Sequence, residues 1–314
     1  MKYVILGRTG QTVSRLGLGT GGPSRLGRSA GLAMDERVAI VIRALELGVT
    51  YIDTARSYGT EEIVARAIRP ARRDNLFIST KCSAYIDDQR VLTPGELATR
   101  IEESLRSLET EVIDLYNLHG VLPSQYASAR DVLVPELIRQ RDKGNIRFMG
   151  ITERFNADPG HAMLSEAVGD DCWDVLMVGF NMLNQSARDR VLAHSQAAGQ
   201  AVQAMFVVRN AFSKPRRLAE LVAELVAGGR LDPADIDPSD PLGFLVADGA
   251  ASSLADAAYR FCRDEAGIDV VLSGTGSISH IEANVASILS PPLPEALRDR
   301  LIRIFDGVDS VTAQ

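Results

Sequence analysis

The stretch TYIDTARSYGTEE, residues 50–62, opens as a buried strand and then turns polar. Tyr51 and Ile52 are apolar, Asp53 follows at once, and Tyr58 stands five residues further on. A helical pattern lies on each side, 35–47 before and 61–68 after. Gly48 follows the first of these as a helix stop. Helix, short apolar run, turn and helix together mark a strand covered on both faces, as strands of parallel sheets are.

The unit recurs. Short apolar runs fall at 15–20, 49–53, 75–81, 112–119, 146–151, 173–179, 201–207 and 268–274, eight in all. Helical patterns fall between them at 35–47, 61–68, 94–108, 129–143, 159–168, 186–198 and 254–265. TPGELATRIEESL carries its own start signal: Thr93 as N-cap, Pro94 at the first helical position and Glu96 three after the cap. Gly144 and Gly199 stop two further helices. Eight such alternations in 314 residues give an α/β fold, a (β/α)8 TIM barrel forming a single domain over 1–314. A doubly wound open sheet fits less well, because GLGTGG at 17–22 is not followed by a helix at dinucleotide-turn spacing. Two additions decorate the barrel. Residues 1–14 read as a β-hairpin that plugs its bottom. Residues 209–250 form a long insertion after strand 7, a helical piece at 216–227 followed by DPADIDPSDPLGF, in the manner of an active-site lid.

Charge and composition narrow the partners. A net charge of −7 argues against a general nucleic-acid or anionic-membrane surface. No apolar stretch approaches bilayer-spanning length, and the N-terminal apolar run is too short for a signal peptide. Cys82, Cys172 and Cys262 are scattered and odd in number, which fits reduced thiols and a cytoplasmic location. No histidine–carboxylate cluster has metal-site spacing, and HAML at His161 reads as a helix-surface feature. Cys82 follows Lys81, but strand alternation turns it away from the barrel mouth.

In a barrel of this kind the chemistry sits at the C-terminal strand ends. The last polar residues of strands two, three and four are Asp53, Lys81 and His119, with Tyr58 on the loop after strand two. Taken singly, Asp53 is a turn cap, Tyr58 a packed aromatic and His119 a core histidine. Lys81 resists so bland a reading: the chain has four lysines among 34 basic residues, so a lysine ending an apolar strand stands out. The set is a proton relay. An ammonium stabilises phenolate and lowers the phenol pKa, a carboxylate keeps the ammonium charged, and an imidazole hydrogen-bonds the substrate oxygen. That chemistry suits a carbonyl becoming an alcohol. No side chain supplies hydride, so a nicotinamide cofactor is implied.

Through LGRTGQTVSRLGLGT, YIDTARSYG, ISTK, DLYNLHG, RFMGIT, FNMLNQSAR and VLSGTGSISHIEAN, the chain resembles the aldo-keto reductase family over nearly its whole length, and within it the bacterial branch that includes aldose dehydrogenase-like members. The resemblance implies the (β/α)8 barrel and NADP(H)- or NAD(H)-dependent interconversion of an aldehyde, ketone or sugar carbonyl with its alcohol. It implies catalytic roles for Asp53, Tyr58, Lys81 and His119. Gly19, Thr20 and Gly21 match the loop under the nicotinamide ribose. Ser273, Gly274, Thr275, Gly276 and Ser277 match an adenosine-phosphate loop before a helix at 279–288, and Asn284 matches an adenine contact. The family's Ser-Asn after strand five is Thr152-Glu153 here. Its strand-six Gln falls at Met177, and its nicotinamide-stacking Tyr at Met205, beside Phe206. A Lys and an Arg that bind the NADP 2′-phosphate fall at Gly274 and His280, which weakens the case for NADP. Arg209 is expected to compensate at the pyrophosphate. Tyr85 and Tyr126, the latter within GVLPSQYA at 120–127, are candidates for the substrate pocket. The alternative reading is a cofactor-binding sensor with little turnover.

Overall fold

The computed structural model describes residues 1–314. In chain order its strands are β1 (Tyr3–Ile5), β2 (Thr12–Ser14), β3 (Leu16–Gly19), β4 (Tyr51–Asp53), β5 (Phe77–Ser83), β6 (Tyr85–Ile86), β7 (Arg90–Val91), β8 (Ile113–Val121), β9 (Ile146–Glu153), β10 (Val175–Gly179), β11 (Ala201–Met205) and β12 (Val270–Gly274). Eight of them close a barrel in the order β10-β11-β12-β3-β4-β5-β8-β9, with every neighbouring pair parallel. The eight apolar runs are the eight barrel strands. β5 and β8 extend two residues past the expected ends, to Ser83 and Val121.

The N-terminal hairpin is present, β1 pairing antiparallel with β2. Leu6 and Val13 pack with Tyr51, Phe77, Leu115, Val175, Ala201 and Val270, residues at or near the first positions of barrel strands. The hairpin therefore closes the N-terminal end of the barrel and leaves the opposite end as the place for a site.

The helices are α1 (Met34–Glu46), α2 (Glu61–Ile68), α3 (Pro94–Ser107), α4 (Pro123–Asp142), α5 (Ala162–Ala167), α6 (Ala193–Ala198), α7 (Asn210–Ser213), α8 (Pro215–Ala227), α9 (Leu254–Arg263), α10 (Ile278–Leu289) and α11 (Glu295–Ile304). Local chemistry sets their ends. The Thr93 hydroxyl accepts from Glu96 N at 3.3 Å while Glu96 accepts from Thr93 N at 2.8 Å, a reciprocal cap. Gly48, Gly144 and Gly199 all take positive φ, the conformation that ends a helix without steric cost.

Four expectations differ. α4 begins at Pro123, six residues early, because Pro at the first helical position has no N–H to lose. Much of the expected loop 120–127 is therefore helix. The segment before α6 is a π-helix, Arg188–Leu192. α11 was not anticipated. In the insertion only the first residues, up to Ser213, reach the barrel mouth, while Ile236, Leu242 and Leu245 pack into the core. The Asp/Pro-rich stretch is a packed excursion rather than a lid.

Candidate active site

The C-terminal strand ends surround a cavity of about 610 Å³. Asp53 at the end of β4, Tyr58 on the turn after it and His119 near the end of β8 all line it. Lys81 in β5 lies beneath them and is fully buried. Its ammonium donates to Asp53 Oδ1 at 2.6 Å and to Thr54 O at 2.9 Å. Ser79 donates to the same Asp53 oxygen at 3.0 Å. Lys81 Nζ stands 5.2 Å from the Tyr58 ring centroid. The Tyr58 hydroxyl lies 3.4 Å from His119 Nε2, and the two rings meet edge to face at 5.6 Å. The structure thus brings the four residues together.

Electrostatics gives each a distinct state. Burial works against charge on Lys81, but Asp53 and Tyr58 outweigh it and hold the ammonium above its ordinary range. Burial also raises Asp53, against Lys81 and Ser79. For this pair the 2.6 Å contact makes the charged state the governing one. Burial, then the charges of Lys81 and Arg154, push His119 down to about 3, so the imidazole is neutral at ordinary pH. Tyr58 departs from expectation: burial pushes the phenol up, and Lys81 offsets only part of that. The phenol keeps its proton. The spacing of these residues reveals which charges are neighbours, but not how much water the fold removes.

Gly21 explains the placement of the phenol. A Cβ there would fall 2.4 Å from Tyr58 Cε2, so the ring lies against a bare backbone. Gly19, Gly21 and Gly274 line the cavity. Thr20, between the first two, points away, its Oγ1 2.7 Å from Thr60 Oγ1. Ser273 is buried, accepting from Tyr259 at 3.0 Å and Asn284 at 2.7 Å. Thr275 is occupied by Ser277 N at 3.1 Å. Gly276 packs on the loop after β3, where a Cβ would meet Gly27 Cα at 2.7 Å. His280 is exposed on the first turn of α10. Of the 273–284 set, only Gly274 faces the cavity.

Arg209 lines the cavity without a carboxylate partner. Its guanidinium stacks 4.1 Å over Phe206, and its Nε donates to Gln314 Oε1 at 2.6 Å. A glycine-lined wall and a cation lacking an anion fit the phosphates of a nicotinamide dinucleotide. Met177, Met205 and Phe206 also line the cavity.

Thr152 and Glu153 both border the cavity with their polar atoms engaged. Thr152 Oγ1 accepts from Gly120 N at 2.7 Å. Glu153 accepts from Gly179 N at 2.7 Å and from His161 Nδ1 at 3.0 Å on both oxygens. His161 is not a surface residue: it is fully buried and stacks on Phe155 at 5.3 Å. Tyr85 and Tyr126 do not line the cavity. The Tyr85 hydroxyl donates to Gln125 O at 3.2 Å. Tyr126, fully buried on α4, bonds Asp170 and accepts from Trp173 Nε1 at 2.9 Å. Cys82 packs into the core, its thiol pushed up to about 11 by burial. Ser83, Arg154, Phe155 and Gln314 line the cavity and were not anticipated. Arg154 directly follows the polar end of strand five, which was the available signal; Gln314 arrives from a distance that no local pattern reports.

No helix is long and apolar enough to cross a membrane. The fold is similar to that of an aldo-keto reductase from Bacillus halodurans in its holo form, with TM-score 0.73 and 23% identity over 97% of this chain and 96% of that one. It is also similar to an aldo/keto reductase from Klebsiella pneumoniae in complex with NADP and acetate, with TM-score 0.68 and 21% identity over 97% and 96% of the two chains. In sequence, the chain is 34% identical over 161 residues to aldo-keto reductase YhdN of Bacillus subtilis, 48% of this chain and 47% of that one. It is 26% identical over 225 residues to the NADH-specific methylglyoxal reductase of Escherichia coli, 65% of this chain and 66% of that one. The chain spans between about half and two thirds of the length of these relatives. The aldo/keto reductase family model matches residues 15–301. The chain belongs to the aldo/keto reductase family, a family of oxidoreductase enzymes.

Proposed function

We propose that this protein is an NAD(P)(H)-dependent oxidoreductase that interconverts a small aldehyde, ketone or sugar carbonyl with its alcohol, using Tyr58 as general acid and base. One observation carries the reading: the Tyr58 hydroxyl reaches the cavity beside a neutral His119, above a buried Lys81–Asp53 ion pair. Hydride would come from, or pass to, a nicotinamide cofactor when one is bound.

The chain's own residues handle the oxygen and its proton. His119, being neutral, orients the carbonyl oxygen through Nε2 without competing for the Tyr58 proton. As negative charge develops on that oxygen, Tyr58 donates its proton to it. The Lys81 ammonium stabilises the tyrosinate left behind, and Asp53 keeps Lys81 protonated at its buried position. In oxidation the tyrosinate accepts the alcohol proton. Gly19, Gly21 and Gly274 are the walls, and Arg209 the cation, that would hold the cofactor. A methylglyoxal-sized aldehyde suits the relationship to the Escherichia coli reductase. The experiment is a titration of purified protein with NADPH and NADH, followed by carbonyl-dependent oxidation of whichever binds. Binding with turnover of small aldehydes supports the reading; tight binding with no turnover on any aldehyde, ketone or aldose refutes it.

A further inference from the structure

Charges around the cavity are matched with few exceptions. Lys81 balances Asp53, and Glu153 is engaged by hydrogen bonds from Gly179 N and His161. Arg209 lies beside Phe206 and Gln314, where its unpartnered charge suits the cofactor phosphates. Arg154 belongs to the other side. It follows β9, borders the cavity, and donates from Nε to Gly120 O at 3.1 Å, the carbonyl next to His119. Its two terminal nitrogens donate to the two oxygens of Asp88, each at 2.6 Å. A planar fork engaged by both arms is the geometry arginine uses for any carboxylate.

The partner is weakly committed. Asp88 is 51% exposed and sits at the tip of the β6–β7 hairpin. Asp87 and Asp88 both hold positive φ, 50° and 59°, an uncommon state for non-glycine residues. The hairpin has other moorings, Gln125 Nε2 to Asp88 O at 3.2 Å and Tyr85 to Gln125 O at 3.2 Å. Water reaches the Asp88 carboxylate, so solvent screens this pair more than it screens the buried Lys81–Asp53 contact. A carboxylate reaching Arg154 from the cavity would replace Asp88 without stranding the arginine, and Asp88 would return to water.

We propose that Arg154 is a specificity residue that selects carbonyl substrates bearing a carboxylate, short oxo acids, and that Asp88 occupies its fork when no substrate is present. The inference rests on Tyr58 and His119 as the carbonyl site. The substrate carboxylate docks on Arg154, and the carbonyl end then faces the phenol and imidazole. Glu153, the other acidic group on this wall, is fully engaged by His161 and Gly179, and burial raises its carboxyl above the ordinary range, which weakens its charge toward an anion there.

The test compares 4-oxobutanoate with its neutral methyl ester in wild type, Arg154→Gln and Asp88→Asn. The wild type should favour the acid by about tenfold or more in kcat/KM, the scale of one charge-assisted bidentate contact. Arg154→Gln should bring the ratio to near one. Asp88→Asn removes the competitor and should lower KM for the acid several-fold while moving the ester little. A ratio untouched by Arg154→Gln, or an Asp88→Asn variant that raises both KM values alike, means a structural latch and overturns the proposal. A second measurement separates this from the reductase reading. Calorimetry of the cofactor-saturated protein compares butanoate with butanamide, neither of which can be reduced as an aldehyde. Preference for butanoate that is lost in Arg154→Gln upholds the subsite even if no carbonyl is turned over, in which case the reductase reading is what fails. Ester turnover with no butanoate preference leaves the reductase reading standing and removes the subsite.

Discussion

Asp53→Asn isolates the buried ion pair. Lys81 has no exposed surface and two acceptors, Asp53 Oδ1 at 2.6 Å and Thr54 O at 2.9 Å. The substitution preserves the shape but leaves an ammonium without a counter-charge in a dry site. Breaking a buried pair by removing one partner costs about 3–5 kcal/mol. Lys81→Met should cost a similar amount, because it leaves the Asp53 carboxylate with only the Ser79 hydroxyl at 3.0 Å. The double variant has neither stranded charge, so it should lie within about 1–2 kcal/mol of wild type, giving a coupling of several kcal/mol. Guanidinium chloride unfolding of the four proteins, read by circular dichroism at neutral pH, measures the cycle. A single-variant cost under about 1 kcal/mol, or costs that add to within about 0.5 kcal/mol, would mean that Asp53 and Lys81 are not a coupled buried pair, since independent sites behave that way.

Gly21→Ala places a methyl where the Tyr58 ring lies, 2.4 Å from Cε2. Displacing the phenol by about 1 Å should lower kcat by about a hundredfold, with the fold retained by circular dichroism. Unchanged kcat would show that Gly21 does not set the ring. His119 is pushed down to about 3 in the folded protein, whereas an unfolded imidazole titrates near 6.5. Between those values the unfolded chain binds the extra proton, so this residue makes stability fall as pH drops from about 6.5 toward 3. His119→Asn should flatten that part of the stability–pH curve; an unaltered slope would mean the imidazole is already charged in the fold.

The barrel was legible because each strand is a short apolar run between amphipathic helices, and the closed order of eight strands follows from that repetition. The four polar residues were legible for a related reason: a carboxylate, a lysine and a histidine near the ends of successive buried strands, with a tyrosine on the loop after the first, have few bland explanations. Thr20 could have been placed by strand alternation, which turns Gly19 and Gly21 one way and Thr20 the other. His161 could not. Its burial depends on Glu153 and Phe155, and a histidine after Pro-Gly looks like a helix start on the surface. Tyr126 was misplaced because Gly120 and Pro123 resemble loop punctuation, although Pro123 opens α4. The upward shift of Tyr58 depends on how much water the folded site excludes.

If Tyr58 transfers the proton, removing its hydroxyl must cost turnover and leave cofactor binding intact. The measurement is steady-state turnover of Tyr58→Phe, with cofactor affinity determined on the same preparation. In Tyr58→Phe, kcat should fall by about 10²–10⁴, the usual worth of a positioned acid, while cofactor binding holds. A Tyr58→Phe protein that binds cofactor and turns over at the wild-type rate would show that the phenol does not carry the proton.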